Sequence, residues 1–163
     1  VSVSRLTDYD PEVISAEPMI FRTASFQDLD AATLYALLKL RVDVFVVEQS
    51  CPYPELDGRD GEPGTRHLWY EVDRKPVAYL RMLEDAEPGG PVCRIGRVVT
   101  APEARGDGLA GQLLTAALAA VGDRPAVLDA QSHLAKFYAK YGFAASGPEF
   151  LEDGIPHVPM RRG

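Results

Sequence analysis

The run Arg105-Gly106-Asp107-Gly108-Leu109-Ala110 combines residue types that can hold an anion. It follows a stretch rich in β-branched residues, Arg94 to Thr100, and leads into an apolar helix that opens at Leu109. A helix N-terminus leaves amide N–H groups unpaired and carries partial positive charge. Glycine there lets a phosphate approach the backbone, because no Cβ stands in the way. The run is not a P-loop, which needs Lys followed by Ser or Thr after its last glycine; Leu109 and Ala110 occupy those places. Nor is it a dinucleotide fingerprint, which needs three glycines in a fixed order. The competing reading is a helix entry whose glycines serve tight packing alone.

A second set of candidates is acidic. Glu48, Glu55, Asp57, Asp60 and Glu62 crowd a segment rich in Pro and Gly, and long ordered loops are often functional. Glu48 follows an apolar helix face, where partial burial would raise its pKa and suit it to proton abstraction. A salt bridge to Arg41, two helical turns earlier, or a solvated helix end is the alternative. The other acids either attract a cationic ligand or are plain loop charge. His67 begins a predicted strand and His157 enters the last one. Imidazole is a base near neutral pH, although an isolated His is more often structural or exposed. His67, His133 and His157 lack metal-ligand spacing, so no metal is predicted. Cys51 and Cys93 make neither a disulfide framework nor a C-x-x-C site, and no neighbouring His would activate Cys51 as an acyl-carrying nucleophile.

Composition narrows the classes. A chain of 163 residues is expected to be one domain with a real core. The net charge of −7 argues against nonspecific nucleic-acid binding and is compatible with a cationic amine substrate. No apolar run is long enough to span a bilayer, and Val1-Ser2-Val3-Ser4-Arg5 does not lead into a signal-peptide core. The expectation is a cytoplasmic protein without membrane contact.

The elements that must position these residues follow from periodicity. Residues 1–18 have weak periodicity and are read as an extended arm, with the domain over 19–163. Met19 to Thr23 is a short strand. Leu34, Leu37, Leu38, Val42 and Phe45 recur at three- and four-residue steps and predict one helix over 31–47, capped by polar side chains between Ser25 and Asp30. Arg66–Val72, Pro76–Leu83 and Val92–Thr100 read as an antiparallel meander, with 84–91 as a loop. Leu109, Leu113, Leu114, Ala117, Leu118 and Val121 form an amphipathic helix that Gly122 ends. Ala126–Ala130 is a short buried strand, expected to run parallel to the one before it. Ser132 caps a helix carrying Leu134, Phe137, Tyr138 and Tyr141, and two strands close the chain. The order β-α-β-β-β-α-β-α-β describes one mixed α/β sheet with helices on its faces.

That order, with Arg105-x-x-Gly108-x-Ala110, resembles the GNAT superfamily of acyl-CoA-dependent N-acetyltransferases over residues 19–163. Phe137-Tyr138-Ala139-Lys140-Tyr141-Gly142-Phe143 is similar to the family's Phe-Tyr-x-x-x-Gly-Phe element. The blocks Arg41 to Gln49, Cys51 to Asp57 and Phe150 to His157 resemble the ElaA-type subfamily.

The resemblance implies that the amides of Arg105, Gly106, Asp107, Gly108, Leu109 and Ala110 hold the pyrophosphate of coenzyme A. It also implies that the backbone of Val98, Val99 and Thr100 pairs with the pantetheine arm, where a splayed strand end could polarise the thioester carbonyl. Three departures stand out. Ala110 replaces the commoner glycine, Asp107 must point away from the phosphates, and Gln131 occupies a place where many members have Asn. Tyr138 is the candidate general acid, since a phenol near pKa 10 is close to a leaving alkyl thiol; packing on an apolar helix face is its alternative. Glu48 is the candidate general base for an ammonium substrate. Arg41, His67 and His157 are candidates to line the acceptor site. The implied activity is direct transfer of an acetyl group from acetyl-CoA to a small-molecule or peptide amine, by a monomer or a homodimer. A non-catalytic acyl-CoA sensor on the same fold is the rival, and an acyltransferase making an acylated amino-acid signal is a second.

Overall fold

A computed structural model describes residues 17–163 of the chain. The expected arm over 1–18 lies outside the described residues except for its last two. Among the described residues, eight strands form one sheet in the order β1-β2-β3-β4-β5-β8-β6, and β7 also pairs with β8. The first four, β1 (Ile20–Ala24), β2 (Arg66–Val72), β3 (Lys75–Glu87) and β4 (Gly90–Thr100), run as an antiparallel meander. β5 (Ala126–Gln131) joins β4 in parallel, and β8 (Ile155–Arg162) runs antiparallel to β5. The outer edge of β8 is covered in succession by β7 (Phe150–Glu152) and β6 (Ala144–Ala145).

Eight consecutive residues of β3, Pro76 to Leu83, are buried, because both faces of the sheet centre are covered. On one face Leu68, Leu80, Met82, Ile95 and Leu128 meet Leu109, Leu113, Leu114 and Ala117 of α2 (Leu109–Val121). On the other, Trp69, Tyr79 and Val99 meet Leu37 and Leu40 of α1 (Ala31–Val42). Neighbours in a strand point to opposite faces, so Leu68 and Trp69 serve the two cores in turn. Asp30 caps α1 by accepting the Thr33 N–H at 2.6 Å, and Gly122, at φ +63°, ends α2. No helix among the described residues is long and apolar enough to cross a membrane.

Three local readings change. The α-helix expected over 31–47 stops at Val42 and continues as a π-helical turn, Asp43–Glu48, marked by bonds from Gln49 N–H to the Val44 carbonyl and from Cys51 N–H to that of Val46. Hydrophobic spacing cannot distinguish the two, because the wider turn preserves an apolar stripe locally. The hairpin β3–β4 extends through most of the expected loop at 84–91, its acidic residues being ion-paired across to arginines: Glu84 to Arg124, Asp85 to Arg59 and Arg94, and Glu87 to Arg161. Ser132 makes no side-chain cap; it opens a 3₁₀ turn, Ser132–Leu134, and α3 (Ala135–Ala139) is only five residues long.

Candidate active site

β4 and β5 pair only at Cys93 with Ala126 and Arg94 with Val127. Beyond those pairs the strands part. Their separation opens a cleft of about 960 Å³, walled by β4 from Arg94 to Thr100, the end of β5, α3, the π-turn and the β7–β8 hairpin. Beyond Arg94, therefore, the edge of β4 that faces β5 has no strand partner. Within the same stretch β4 bulges: Tyr79 pairs with Val99 but Arg81 with Gly96, so Arg97 and Val98 together stand against Leu80. Arg97 adopts φ +55°, the left-handed region that is rare for a residue with a side chain.

The glycine turn lies at the mouth of the gap. Gly106 and Gly108 take φ +95° and +72°, and a Cβ on either would meet nothing within 4 Å. Backbone conformation, not lack of room, is what calls for glycine there. Gly108 is the N-cap of α2 and offers no side-chain cap, so the first amides of the helix have no intrahelical acceptor. Arg105 and Ala110 line the cleft. Gly106, Asp107 and Gly108 are exposed, and Leu109 turns into the core.

Tyr138 projects from α3 into the cleft and is 7% exposed. Its ring packs edge-on against Phe137 and Phe143, and its hydroxyl finds no hydrogen-bond partner among the described residues. Burial pushes the phenol up to about 12. Glu48, at the end of the π-turn, also lines the cleft. Its carboxylate accepts two bonds from Arg105, at 2.8 and 2.9 Å, and Arg105 Nε also donates to the Thr100 carbonyl at 3.2 Å. The Arg105 hydrogen bonds lower the Glu48 pKa, so the expected upward shift is reversed. The partner is Arg105, 57 residues away, and not Arg41. The adjacent Gln49 Oε1 accepts from Gln131 Nε2 at 3.2 Å. The π-turn is thus tied both to the glycine turn and to the end of β5.

Val98, Val99, Thr100, Gln131 and His157 stand in the same cleft as Tyr138, Glu48, Arg105 and Ala110. His157 stacks on Phe150 with ring centroids 5.8 Å apart. Arg41 and His67 stand outside it. Arg41 is 1% exposed and donates to Glu55 and Asp60 at 2.6 Å each. His67, equally buried, is held between the Tyr79 hydroxyl and the Asp60 carbonyl oxygen; burial lowers its pKa and keeps it neutral. Both are core groups that position the loop above them.

That loop carries residues which spacing does not mark. Arg41, Arg81 and Arg97, from three different elements, interlock with Glu55, Asp57 and Asp60 of the segment between the π-turn and β2. Arg81 donates to Asp57 at 2.7 Å and to Asp60 at 3.1 Å; Arg97 reaches Glu55 at 2.9 Å; the Tyr53 hydroxyl donates to Glu55. Burial would raise the Asp57 pKa, but the hydrogen bonds from Arg81 outweigh it and hold the carboxyl well below its usual range. Tyr53, Asp57, Arg81 and Arg97 line the cleft. In the sequence Asp57 is only one loop acid among several. Among the described residues, no group of three or more His, Cys, Asp or Glu side chains is placed to hold a metal ion.

A mixed sheet forked between two parallel strands, with a helix N-terminus at the fork, defines an acyltransferase architecture, and comparison with known proteins agrees. The family model "Acetyltransferase (GNAT) domain" matches residues 36–162, and the chain belongs to that family. A UPF0039 protein of Mycobacterium tuberculosis is 58% identical over 137 residues, covering 83% of this chain and 88% of the relative. The crystal structure of an acyl-CoA N-acyltransferase from Pseudomonas aeruginosa is 45% identical, with a TM-score of 0.84 over 90% of this chain and all of that one. The crystal structure of Escherichia coli ElaA is 37% identical, with a TM-score of 0.82 over the same shares. The protein is an acyltransferase of the GNAT class.

Proposed function

We propose that the protein transfers an acetyl group from acetyl-CoA to a primary amine, directly, with both substrates bound together. The observation that carries this reading is the fork itself. An unpaired edge of β4, the uncapped start of α2 and the Tyr138 hydroxyl all converge on one cleft. The glycine turn from Arg105 to Ala110 would hold the pyrophosphate through backbone amides, favoured by the helix dipole. The edge of β4 at Val98–Thr100 would pair with the amide-bearing arm of the substrate, as a strand would. Backbone N–H groups at the bulge would stabilise the charge that develops on the thioester oxygen.

Tyr138 protonates the departing sulfur. A phenol at about 12 looks poorly matched to a thiol, but the sulfur leaves into the same low-dielectric space, where burial raises thiols too. Cys93 shows the size of that effect in this protein's core, where burial pushes its thiol up to about 11. Glu48, ionised across the physiological range, takes the ammonium proton directly or through water. Direct transfer is favoured over an acyl-enzyme by the setting of Cys51, whose Sγ contacts the Asp153 carbonyl oxygen at 3.6 Å instead of an activating base.

The test is free-thiol release from acetyl-CoA against a panel of small amines and peptides. Amine-dependent release supports the reading and names the acceptor class. Tight coenzyme A binding with no release from any amine makes the protein a sensor. A protein that binds no coenzyme A in calorimetry refutes the proposal altogether.

A further inference from the structure

We infer that Arg97 is a positioning residue for the transfer step: its side chain clamps the β4 bulge to the segment 53–57 and so fixes the backbone groups that the bulge presents to the thioester. The inference rests on the functional reading above, specifically on the bulge as the carbonyl-polarising element.

Arg97 holds φ +55°, a conformation that an L-residue adopts only when its surroundings impose it. Glycine would take it freely, yet the position holds one of the longest side chains, and that side chain is engaged through both Nε and Nη2. Arg97 Nε donates to the Glu55 carboxylate, with the closest approach 2.9 Å. Nη2 donates to the Glu55 carbonyl oxygen and to Asp57 Oδ2, each at 3.3 Å. The guanidinium also lies over the Tyr53 ring, 5.9 Å from its centroid.

The anchor is rigid. Glu55 is 2% exposed, and the same carboxylate accepts from Arg41 Nε at 2.6 Å and from the Tyr53 hydroxyl. Arg41 in turn belongs to the buried face of α1, and Asp57 is held by Arg81 of β3. The clamp therefore ties β4 to two other elements at the one point where its ladder is interrupted. A bulge leaves its extra residue out of the ladder and bends the strand beyond it; here β5 supplies no pairing beyond Arg94 either. With β5 parted and the β3 ladder interrupted at Arg97 and Val98 alone, the side chain supplies the added constraint at that step.

Three variants and two readouts test this. Arg97→Gly removes the clamp but tolerates the positive φ, so any loss it shows cannot come from backbone strain. Arg97→Ala removes the clamp and keeps the strain. Arg97→Lys keeps a charge facing Glu55 but cannot bond the Glu55 carboxylate, its carbonyl oxygen and Asp57 together. The first readout is kcat against calorimetric Kd for acetyl-CoA. The second is the infrared stretch of acetyl-CoA labelled with ¹³C at the thioester carbonyl, which a well-aimed N–H donor shifts to lower frequency.

Losing one oxyanion donor costs about 100- to 1,000-fold in rate. A donor misaimed but not removed should cost about 10- to 100-fold in kcat. Arg97→Gly is expected to lose that much with Kd changed less than about threefold, and with its carbonyl band moved back towards that of free acetyl-CoA. Arg97→Lys should fall between it and the parent. Unaltered kcat and an unmoved band in the Gly and Lys variants overturn the inference; if the Gly variant does not fold, the Lys variant decides on the same two readouts. A parent protein that binds acetyl-CoA without any carbonyl shift instead refutes the role given to the bulge, and with it this inference. A parent that binds no acetyl-CoA refutes the functional reading beneath both.

Discussion

Replacing Tyr138 by Phe removes one oxygen from a side chain that is otherwise packed. The ring keeps its edge-on contacts with Phe137 and Phe143, and no protein hydrogen bond to the hydroxyl is lost among the described residues. Stability should therefore change by less than about 1 kcal/mol. The rate should change far more. Burial raises the phenol from 10.0 to about 12, and at about 1.4 kcal/mol per unit of pKa that gap corresponds to roughly 3 kcal/mol against forming an anion there. A thiolate leaving unprotonated into the same space meets a comparable penalty. The predicted fall in kcat for Tyr138→Phe is thus about 100-fold, at the lower end of what general acids contribute. Acetyl-CoA affinity should stay within about threefold, because the hydroxyl acts only as sulfur departs. The assay is steady-state thiol release paired with calorimetry and a urea midpoint. The sign in pH follows from the raised value. The acid is lost only as pH approaches about 12, so parental kcat should show no basic limb from this group up to about pH 10. Parental kcat within about threefold in the Phe variant, with an unchanged urea midpoint, would refute the general-acid role.

Two further predictions concern the charged groups. Arg105 holds Glu48 below the usual carboxylate range, so in Arg105→Gln the acidic limb of kcat/KM should move to higher pH, towards the ordinary 4.5; a limb that stays in place in the pH–rate profile counts against Glu48 as the base. Asp57 and Asp60 have lowered folded pKa values because hydrogen bonds from Arg81 and Arg41 outweigh burial. Their contribution to stability is complete above the unfolded value, near 3.8, and drains away as pH falls through the folded one. Urea midpoints should accordingly hold steady down to about pH 5 and drop below about pH 4, and Asp57→Asn should lower the neutral midpoint while flattening part of that drop.

The parts of this molecule that sequence reveals are those in which a local rule and the global fold agree. β2 is readable to the residue because Arg66–Val72 is a strand on propensity and a strand by burial. α2 is readable because its apolar stripe and its glycine caps mark the same thirteen residues. The glycine turn is legible as the junction of a β-branched run and an apolar helix, whereas Tyr138 is marked only by the resemblance of the run Phe137 to Phe143 to a family element, since spacing alone gives an aromatic residue on an apolar face.

Other parts depend on partners far apart in the chain. Whether Arg41 faces a cleft or a core is decided by Glu55 and Asp60, and their own burial is decided by Arg81 and Arg97. None of these residues can be placed until all are placed, and periodicity carries no information about charges that satisfy one another across a fold. The same holds for Glu48. Its helical position suggests burial and a raised pKa, whereas the residue that sets its pKa belongs to the glycine turn. That coupling has a functional consequence. The base proposed for the amine is ion-paired to the side chain of a residue whose backbone amide is proposed to hold the pyrophosphate. Glu48→Gln weakens the pair that ties the π-turn to the glycine turn, so calorimetry should show a changed coenzyme A affinity in that variant, and an unchanged Kd would mean that the pair does not shape the turn.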